Sequence, residues 1–271
     1  MNRSPAHAPA DGPDAPVLEL DGVGMRWGNN RVLDGLSLSL GRGERLAVVG
    51  PSGTGKSTVL RILAGLLLPT AGELRLHGAP QRYLRLDQLR PPDVRLVFQN
   101  PALLGSLTVR ENVGFLLYRH SKLRESEIRY RVGRALEAVG LSGIEERLPG
   151  ELSGGMQKRV SFARALIEDP GQPAGQHPIL LFDEPTAGLD PVACTRIEDL
   201  IVTTTQVAAG CSVVVSHVMS TIVRSAEQVA MLYEGHLQWL GSVQDFGHTE
   251  NPYVVQFRTG SLSGPMQPAE I

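Results

Sequence analysis

An α/β fold with a mostly parallel central sheet is predicted by three features of the sequence. A short apolar run at Arg45–Val49 predicts a strand, and the apolar runs at 179–182 and 211–216, which are too short for helices, are typical of buried parallel strands. A glycine-rich loop follows the first run, after which apolar residues recur at helical spacing. Residues 191–208, between the other two runs, have a pattern that predicts a helix. Strands and helices that alternate in this way indicate a doubly wound sheet.

Two further regions accompany this pattern. Residues 17–27, 36–40 and 73–76 alternate apolar with polar or small side chains, which predicts half-buried strands, the first two of them antiparallel. The region of about 92–166 is predicted to be mainly helical after a strand at 94–98.

Two helices of this middle region have recognisable end signals. Thr108, with Glu111 three residues later, forms a capping box that is expected to open a helix. An amphipathic helix that stops at Gly140 is indicated by apolar residues along one face: Ile128, Val132, Leu136 and Val139.

Composition excludes several classes of protein. The chain has 271 residues, with 26 Lys and Arg against 28 Asp and Glu, so no overall basic field favours a nucleic-acid partner. Its two cysteines fit neither a disulfide framework nor a metal site and are expected to be small buried hydrophobes in a reducing compartment. No run approaches the roughly 18 apolar residues of a membrane-spanning helix, and no signal peptide is evident. We therefore expect a cytosolic chain.

The glycine-rich loop has the spacing of a phosphate-binding loop. Gly50, four intervening residues and then Gly55, Lys56 and Ser57 fit G-x-x-x-x-G-K-[ST] between a predicted strand and a predicted helix. Glycines let backbone N–H groups turn toward phosphates, Lys56 would reach the β- and γ-phosphates, and Ser57 Oγ would ligate Mg²⁺. The alternative is a glycine turn with an incidental lysine. The predicted nucleotide-binding residues here are Gly50, Pro51, Ser52, Gly53, Thr54, Gly55, Lys56, Ser57 and Thr58.

A second part of this site is predicted at the end of the run at 179–182. Asp183 and Glu184 follow it directly, at the carboxyl edge where open α/β sheets bind ligands. Adjacent residues of a strand point in opposite directions, so Asp183 can face Mg²⁺ while Glu184 faces the attacking water. A solvated acidic turn is the alternative for these two residues.

Further motifs resemble those of ABC ATPases. Ser153, Gly154, Gly155 and Met156 lie in LSGGM, which resembles the signature LSGGQ apart from its last residue. LVFQN resembles the Q-loop, AGLD the D-loop, and SH after the run at 211–216 the H-loop. The resemblance covers about residues 17–241, and the motifs follow the family's order. It adds these site residues: Trp27 as the adenine-stacking aromatic, Gln99 in the Q-loop and His217 in the H-loop.

This resemblance implies the P-loop NTPase fold of ABC ATPases, with a RecA-like, mostly parallel core sheet, an antiparallel β subdomain and a helical subdomain. It also implies that ATP and Mg²⁺ lie between two copies of the chain, each ATP facing Ser153 and Gly155 of the other copy. The implied catalytic residues are Glu184, His217 and Lys56. The implied metal ligands are Ser57, Gln99 and Asp183.

Three of these assignments have plainer alternatives. His217 can be an ordinary strand-end histidine, although a protonatable donor there suits a γ-phosphate contact. Trp27 at a strand end can be packing rather than a stacking platform. Gln99 can ligate Mg²⁺, but many strands end in glutamine.

A single set of motifs and no heptad run exclude ABC classes with two ATPase domains or a long coiled coil in one chain. A separate membrane permease is therefore the expected partner. Leu103, Leu104 and Leu107 lie where the family docks the permease, or else belong to the subdomain core.

Three stretches resemble the ATPases of Mla-type lipid transporters, which work with mammalian-cell-entry (MCE) domain proteins in bacteria, cyanobacteria and chloroplasts. They are LSGGM with its basic KR pair, TAGLDPVA and NPYVVQFRTGSLSGP. The resemblance implies lipid transport from the cytoplasmic face of the inner membrane, with an MCE-domain protein as a further partner. The alternatives are an importer ATPase for an amino acid or another small polar solute, and a soluble ABC ATPase that acts without a permease.

Domain organisation follows from these assignments. Residues 1–15 are expected to be a disordered leader, residues 16–250 the ATPase domain, and residues 251–271 a C-terminal tail. The stretch at 171–178 is expected to be an exposed loop. The tail either anchors on a neighbouring chain or packs on its own domain as a strand, and residues 265–271 are expected to be frayed.

Overall fold

The structure is a computed structural model that describes residues 15–89, 91–168 and 177–267. The strands are β1 (Leu18–Trp27), β2 (Asn30–Leu40), β3 (Arg45–Val49), β4 (Ala71–Leu76), β5 (Ala79–Pro80), β6 (Val94–Val97), β7 (Ile179–Asp183), β8 (Cys211–Val215), β9 (Gln228–Tyr233) and β10 (His236–Ser242). The helices are α1 (Lys56–Leu63), α2 (Val109–His120), α3 (Glu125–Ala138), α4 (Gly154–Leu166), α5 (Pro191–Ala208), α6 (Met219–Ser225), α7 (Val243–His248) and α8 (Pro252–Thr259).

The core sheet has six strands in the order β10-β9-β3-β8-β7-β6. Strands β9, β3, β8, β7 and β6 are parallel, and β10 pairs antiparallel with β9. A second sheet, in the order β2-β1-β4-β5, is wholly antiparallel. The α/β fold class predicted from the sequence, with its antiparallel β part and its helical part, is confirmed.

The predicted end signals of the helices are also confirmed. Thr108 Oγ1 accepts a hydrogen bond from the Glu111 backbone N–H at 3.2 Å, and Glu111 Oε2 accepts one from the Thr108 N–H at 2.7 Å, so both bonds of the capping box form. The α3 helix ends at Ala138, just before Gly140 takes a left-handed φ of 66°.

Three apolar clusters hold these layers together. One fills the space between the antiparallel sheet, α1 and one face of the core sheet, and a second lies between α2, α3, α4, α5 and the other face of β7. A third packs α6, α7 and α8 against β3 and β9. The carboxyl ends of β3, β7 and β8 therefore meet at one rigid edge of the sheet.

The C-terminal segment corrects two predictions. The strand considered for it is wrong: Asn251 Oδ1 accepts from the backbone N–H groups of Tyr253 and Val254 and caps α8, which packs on β9 and β10. Fraying is wrong for 265–267, where Met266 is buried and its backbone exchanges two hydrogen bonds with the Gln256 side chain.

Most of the remaining predictions for termini and loops concern residues that the structure does not describe. Residues 1–14, 169–176 and 268–271 lie outside the described residues, so the predicted leader, nearly all of the predicted loop at 171–178 and the end of the tail stay predictions. Within the described part of the chain, no helix is both long and apolar enough to cross a membrane.

Both cysteines are free thiols. Cys211 is completely buried on β8, as expected. Cys194 on α5 is half-buried, and its Sγ lies 3.6 Å from the carbonyl oxygens of Thr186 and Leu189.

Burial raises the pKa of the Cys211 thiol to about 12, and burial also raises the pKa of Cys194. Thiol reagents attack the thiolate, which is scarce below the pKa, so we expect Cys211 to stay unreactive at pH 8 in the folded chain. Titration with an aromatic disulfide reagent should detect one slowly reacting thiol, Cys194, and a second only after denaturation. Two thiols that react equally fast in the folded chain would contradict this burial.

Candidate active site

The phosphate loop joins β3 to α1, and its conformation depends on glycine at two positions. Gly50 has a φ of 146°, and a Cβ there would lie 2.2 Å from the Leu232 carbonyl oxygen. Gly55 has a φ of 97°, and a Cβ there would lie 2.8 Å from Leu33 Cδ2 and 2.9 Å from the Val32 carbonyl oxygen. Side chains are therefore excluded at both positions, and the loop backbone is left free to face a ligand.

Lys56 closes over this loop. Its Nζ donates hydrogen bonds to the carbonyl oxygens of Gly50 at 2.8 Å and Pro51 at 2.6 Å, while Thr54 Oγ1 donates to the Pro51 carbonyl at 2.9 Å. Ser52, Gly53 and Ser57 are exposed at the same loop. The buried Thr54 and Thr58 support the loop from behind.

The charges at this loop are coupled. Burial lowers the pKa of the Lys56 ammonium, and the nearby carboxylates of Glu184 and Asp183 oppose that shift. Burial raises the pKa of Asp183, Glu184 raises it further, and Arg61 and Lys56 oppose the rise. One lysine and two carboxylates therefore share a single partly buried site.

Glu184 follows β7 and is held on two sides. Its backbone N–H donates to the Val215 carbonyl at 2.9 Å, and its Oε1 lies 2.9 Å from His217 Nδ1. Its φ of 45° is in the left-handed region, which is uncommon for a residue with a side chain and is frequent at functional sites. Glu184 Oε2 is buried and has no hydrogen-bond partner.

These residues fit a magnesium nucleotide. Glycine-lined backbone and the N-terminus of α1 suit phosphate oxygens, and Lys56 adds a positive charge. Hydroxyl and carboxylate oxygens at Ser57 and Asp183 are the type of ligand that Mg²⁺ prefers. The unpartnered Oε2 of Glu184 is an acceptor available to a water molecule.

The LSGGM stretch forms a second helix N-terminus. Ser153 caps α4, and its Oγ accepts from the Met156 backbone N–H at 3.3 Å. Ser153 is exposed and, with Gly155, lines a groove of about 400 Å³ that also contacts Gly188 and Asp190 of the D-loop-like turn. No residue of the phosphate loop lines this groove. Within one chain, the two helix N-termini therefore form separate sites.

The structure thus brings together only part of the predicted set. Lys56, Asp183, Glu184 and His217 converge at the carboxyl edge of the core sheet. Gln99, two residues after β6, is exposed, and the Trp27 side chain at the end of β1 is 49% exposed. In the described part of the chain, neither of these two side chains bonds to that cluster.

One residue of the site's surroundings was missed from the sequence. Lys158 on α4 is buried, and its Nζ donates to the carbonyl oxygens of Pro185 at 3.1 Å and Ala187 at 2.6 Å. The available signal was a lysine one helical turn before Phe162, on the helix face that is buried. Its partners are backbone carbonyls, which no sequence pattern identifies.

Comparison with known proteins agrees with this geometry. The family model described as ABC transporter matches residues 33–187, which include the phosphate loop, the LSGGM helix and both carboxylates. The chain belongs to the ABC transporter ATP-binding family. It is therefore an ABC-type ATPase, and ATP is the nucleotide for which its phosphate loop is built.

Relatives of this ABC ATPase have names that point to different substrates. It is 47% identical to the chloroplastic protein TRIGALACTOSYLDIACYLGLYCEROL 3 of Arabidopsis thaliana, over 93% of this chain and 76% of the relative. It is 35% identical to the probable ribonucleotide transport ATP-binding protein mkl of Mycobacterium leprae, over 94% and 72%. It is 32% identical to the intermembrane phospholipid transport system ATP-binding protein MlaF of Haemophilus influenzae, over 93% of each. These relatives support the resemblance to Mla-type ATPases.

A solved structure shares the fold. The dimeric post-hydrolysis state of the ATP-binding cassette MJ0796, bound to ADP and Pi, matches with a TM-score of 0.72 and 29% identity. The match covers 83% of this chain and 98% of that cassette.

Proposed function

We propose that two copies of this chain close on two ATP molecules and hydrolyse them to drive a separate membrane permease. The observation that carries this proposal is the division of the site: the phosphate loop with Glu184 and the Ser153 turn are separate within one chain. A second copy, related by two-fold symmetry, would bring each Ser153 turn to the other copy's phosphate loop. The dimeric state of the cassette MJ0796 supports this arrangement.

In this proposal the residues of the phosphate loop bind ATP from one side. Backbone N–H groups of residues 50–58 hold the β- and γ-phosphates, and Lys56 releases its loop carbonyls to contact them. Trp27, exposed at the end of β1, stacks on the adenine ring. Ser153, Gly154, Gly155 and Met156 of the second copy supply the opposing helix N-terminus.

Hydrolysis is assigned to Glu184 and His217. Glu184 Oε2 accepts a proton from the attacking water. The water oxygen bonds to the γ-phosphorus, and the bond between this phosphorus and the bridging oxygen of ADP breaks. His217 Nδ1 donates to Glu184 Oε1 and so holds the carboxylate, and the other side of the exposed imidazole ring faces the γ-phosphate. Ser57, Asp183 and Gln99 would hold Mg²⁺, which when bound neutralises developing phosphate charge.

We further propose that the driven permease moves phospholipid or another lipid and works with an MCE-domain protein. The lipid-related names of the Arabidopsis and Haemophilus relatives support this substrate. The chain would then lie on the cytoplasmic face of the inner membrane, bound to the permease. Transport of a polar solute is the second candidate, because the Mycobacterium leprae relative is named for ribonucleotide transport.

A groove on the helical part suits the permease contact. It has a volume of about 450 Å³ and is lined by Leu107, Phe115 and Tyr118 together with five polar or charged residues, Thr108, Arg110, Glu111, Glu125 and Glu146. The Phe115 and Tyr118 side chains are about 40% exposed. Leu104 is also exposed, whereas Leu103 packs on the helical core. The three leucines therefore divide between the two roles considered for them. An exposed groove that combines apolar and charged residues favours an amphipathic segment of a membrane protein.

The test is the ATPase rate of the chain purified with its permease in lipid nanodiscs. Phospholipid is expected to raise the rate several-fold above that in detergent, whereas ribonucleoside monophosphates added to the ATP of the assay leave it unchanged. The same complex with Lys56→Ala serves as the background control. Stimulation by a ribonucleotide or an amino acid and not by lipid would overturn the lipid assignment.

A further inference from the structure

Lys158 is one of three lysines in the chain and the only one of them that is buried. Its side chain leaves α4 and reaches the turn after Glu184, where it donates to the carbonyl oxygens of Pro185 and Ala187. Among the described residues, no carboxylate forms an ion pair with it. The lysine therefore joins α4 to this turn through backbone carbonyls alone.

Burial of the Lys158 ammonium group without a counter-ion costs free energy. Removing a charge from water without a counter-ion is unfavourable, and burial accordingly lowers the pKa of Lys158. A Leu or Met side chain would fill the same space without that cost. The contribution of Lys158 is therefore its hydrogen-bond donors, which satisfy two carbonyls of a turn that would otherwise lack them.

The turn that Lys158 bonds, residues 185–190, fixes the backbone conformation directly after Glu184. The Ala187 N–H donates to the Glu184 carbonyl at 3.1 Å, so Ala187 is bonded to Glu184 on one side and to Lys158 on the other. Thr186, between them, is buried and its Oγ1 lies 2.8 Å from Thr221 Oγ1 on α6. A shift of α4 along its axis is therefore passed to the left-handed backbone of Glu184.

The N-terminus of α4, on the other side of Lys158 from the phosphate site, is the Ser153 turn. Lys158 lies five residues after Ser153, about 7.5 Å along the helix at 1.5 Å per residue. This inference rests on the proposed dimer, in which Ser153 contacts the nucleotide of the partner copy and Glu184 acts on the nucleotide of its own copy. One rigid helix thus contacts one site and, through Lys158, positions the carboxylate of the other.

We propose that Lys158 is a positioning residue that couples the two ATP sites of the dimer. ATP that docks against Ser153 fixes α4, and Lys158 then fixes the turn at 185–190 and orients Glu184 in the neighbouring site. Hydrolysis at one site thereby depends on occupancy of the other.

The test compares Lys158→Met with Lys158→Gln in the full-length chain with its permease. Lys158→Met keeps length and packing but has no donor, so we expect kcat to fall about tenfold and the KM for ATP to change little. The Hill coefficient for ATP should fall from about 2 toward 1, because the sites no longer communicate. Lys158→Gln, whose amide can donate to both carbonyls without a charge, should recover part of both values.

Lys122→Met is the matched control, because Lys122 is exposed, and it should leave all values unchanged. A merely structural role predicts that Lys158→Met lowers the thermal midpoint while kcat per folded molecule and the Hill coefficient stay as in the unsubstituted chain. That result would overturn the inference. The proposed dimer is tested separately: Glu184→Gln should still dimerise with ATP, and its failure to do so would overturn the proposed function instead.

Discussion

Glu184→Gln is expected to lower ATP turnover by about two to three orders of magnitude. The substitution keeps the size of the side chain and a hydrogen bond to His217, which holds Oε1 at 2.9 Å. It removes the carboxylate charge at the buried, unpartnered Oε2, the atom placed to accept the proton of the attacking water. Release of inorganic phosphate from purified protein at saturating Mg·ATP measures the effect.

The control for this substitution is Glu137→Gln, a change of the same kind at an exposed position of α3, which should leave turnover unchanged. ATP binding should persist in Glu184→Gln, because Lys56 and the glycine loop are intact. Turnover close to that of the control would remove Glu184 from its proposed role.

Lys56→Ala is expected to lower turnover by about 100-fold or more and to weaken ATP binding as well. The substitution removes the one lysine at the loop, so the Gly50 carbonyl loses its side-chain donor and the Pro51 carbonyl keeps only Thr54 Oγ1. It also removes the positive charge that faces Asp183 and Glu184, so two carboxylates are left to repel phosphate. Phosphate release and calorimetric titration with ATP measure the two effects.

Lys122→Ala removes an exposed lysine and should leave both quantities unchanged. Thermal unfolding should give similar midpoints for the two variants, because Lys56 contacts the phosphate loop and is not part of the apolar core. ATP affinity and turnover of Lys56→Ala within about twofold of the control would refute the assignment of the phosphate loop.

Much of the site could be predicted because its parts are local. The phosphate loop needs glycines at fixed spacing after a strand, and the close approach of Gly50 to the Leu232 carbonyl shows why no other residue serves. The capping box at Thr108 was predicted for the same reason, since both of its bonds join residues three apart. Apolar run lengths likewise predicted β7 and β8 as buried parallel strands.

What could not be predicted depends on contacts between distant parts of the chain. Met266 is ordered by the Gln256 side chain and buried against β9, so composition alone predicted fraying wrongly. The cap of α8 at Asn251 was a readable local signal, but its packing on the core was not. Lys158 could be recognised only once the turn after β7 was placed beside α4.

The proposed dimer is tested most directly by the mass of Glu184→Gln in solution at saturating Mg·ATP. Sedimentation equilibrium should give roughly twice the chain mass of 29.2 kDa with Mg·ATP and the single-chain mass without nucleotide. The same variant carrying Ser153→Arg should stay at the single-chain mass, because the added side chain blocks the partner's nucleotide. A single-chain mass for Glu184→Gln at saturating Mg·ATP, with its permease also supplied, would contradict the proposal that each site is completed by a second copy.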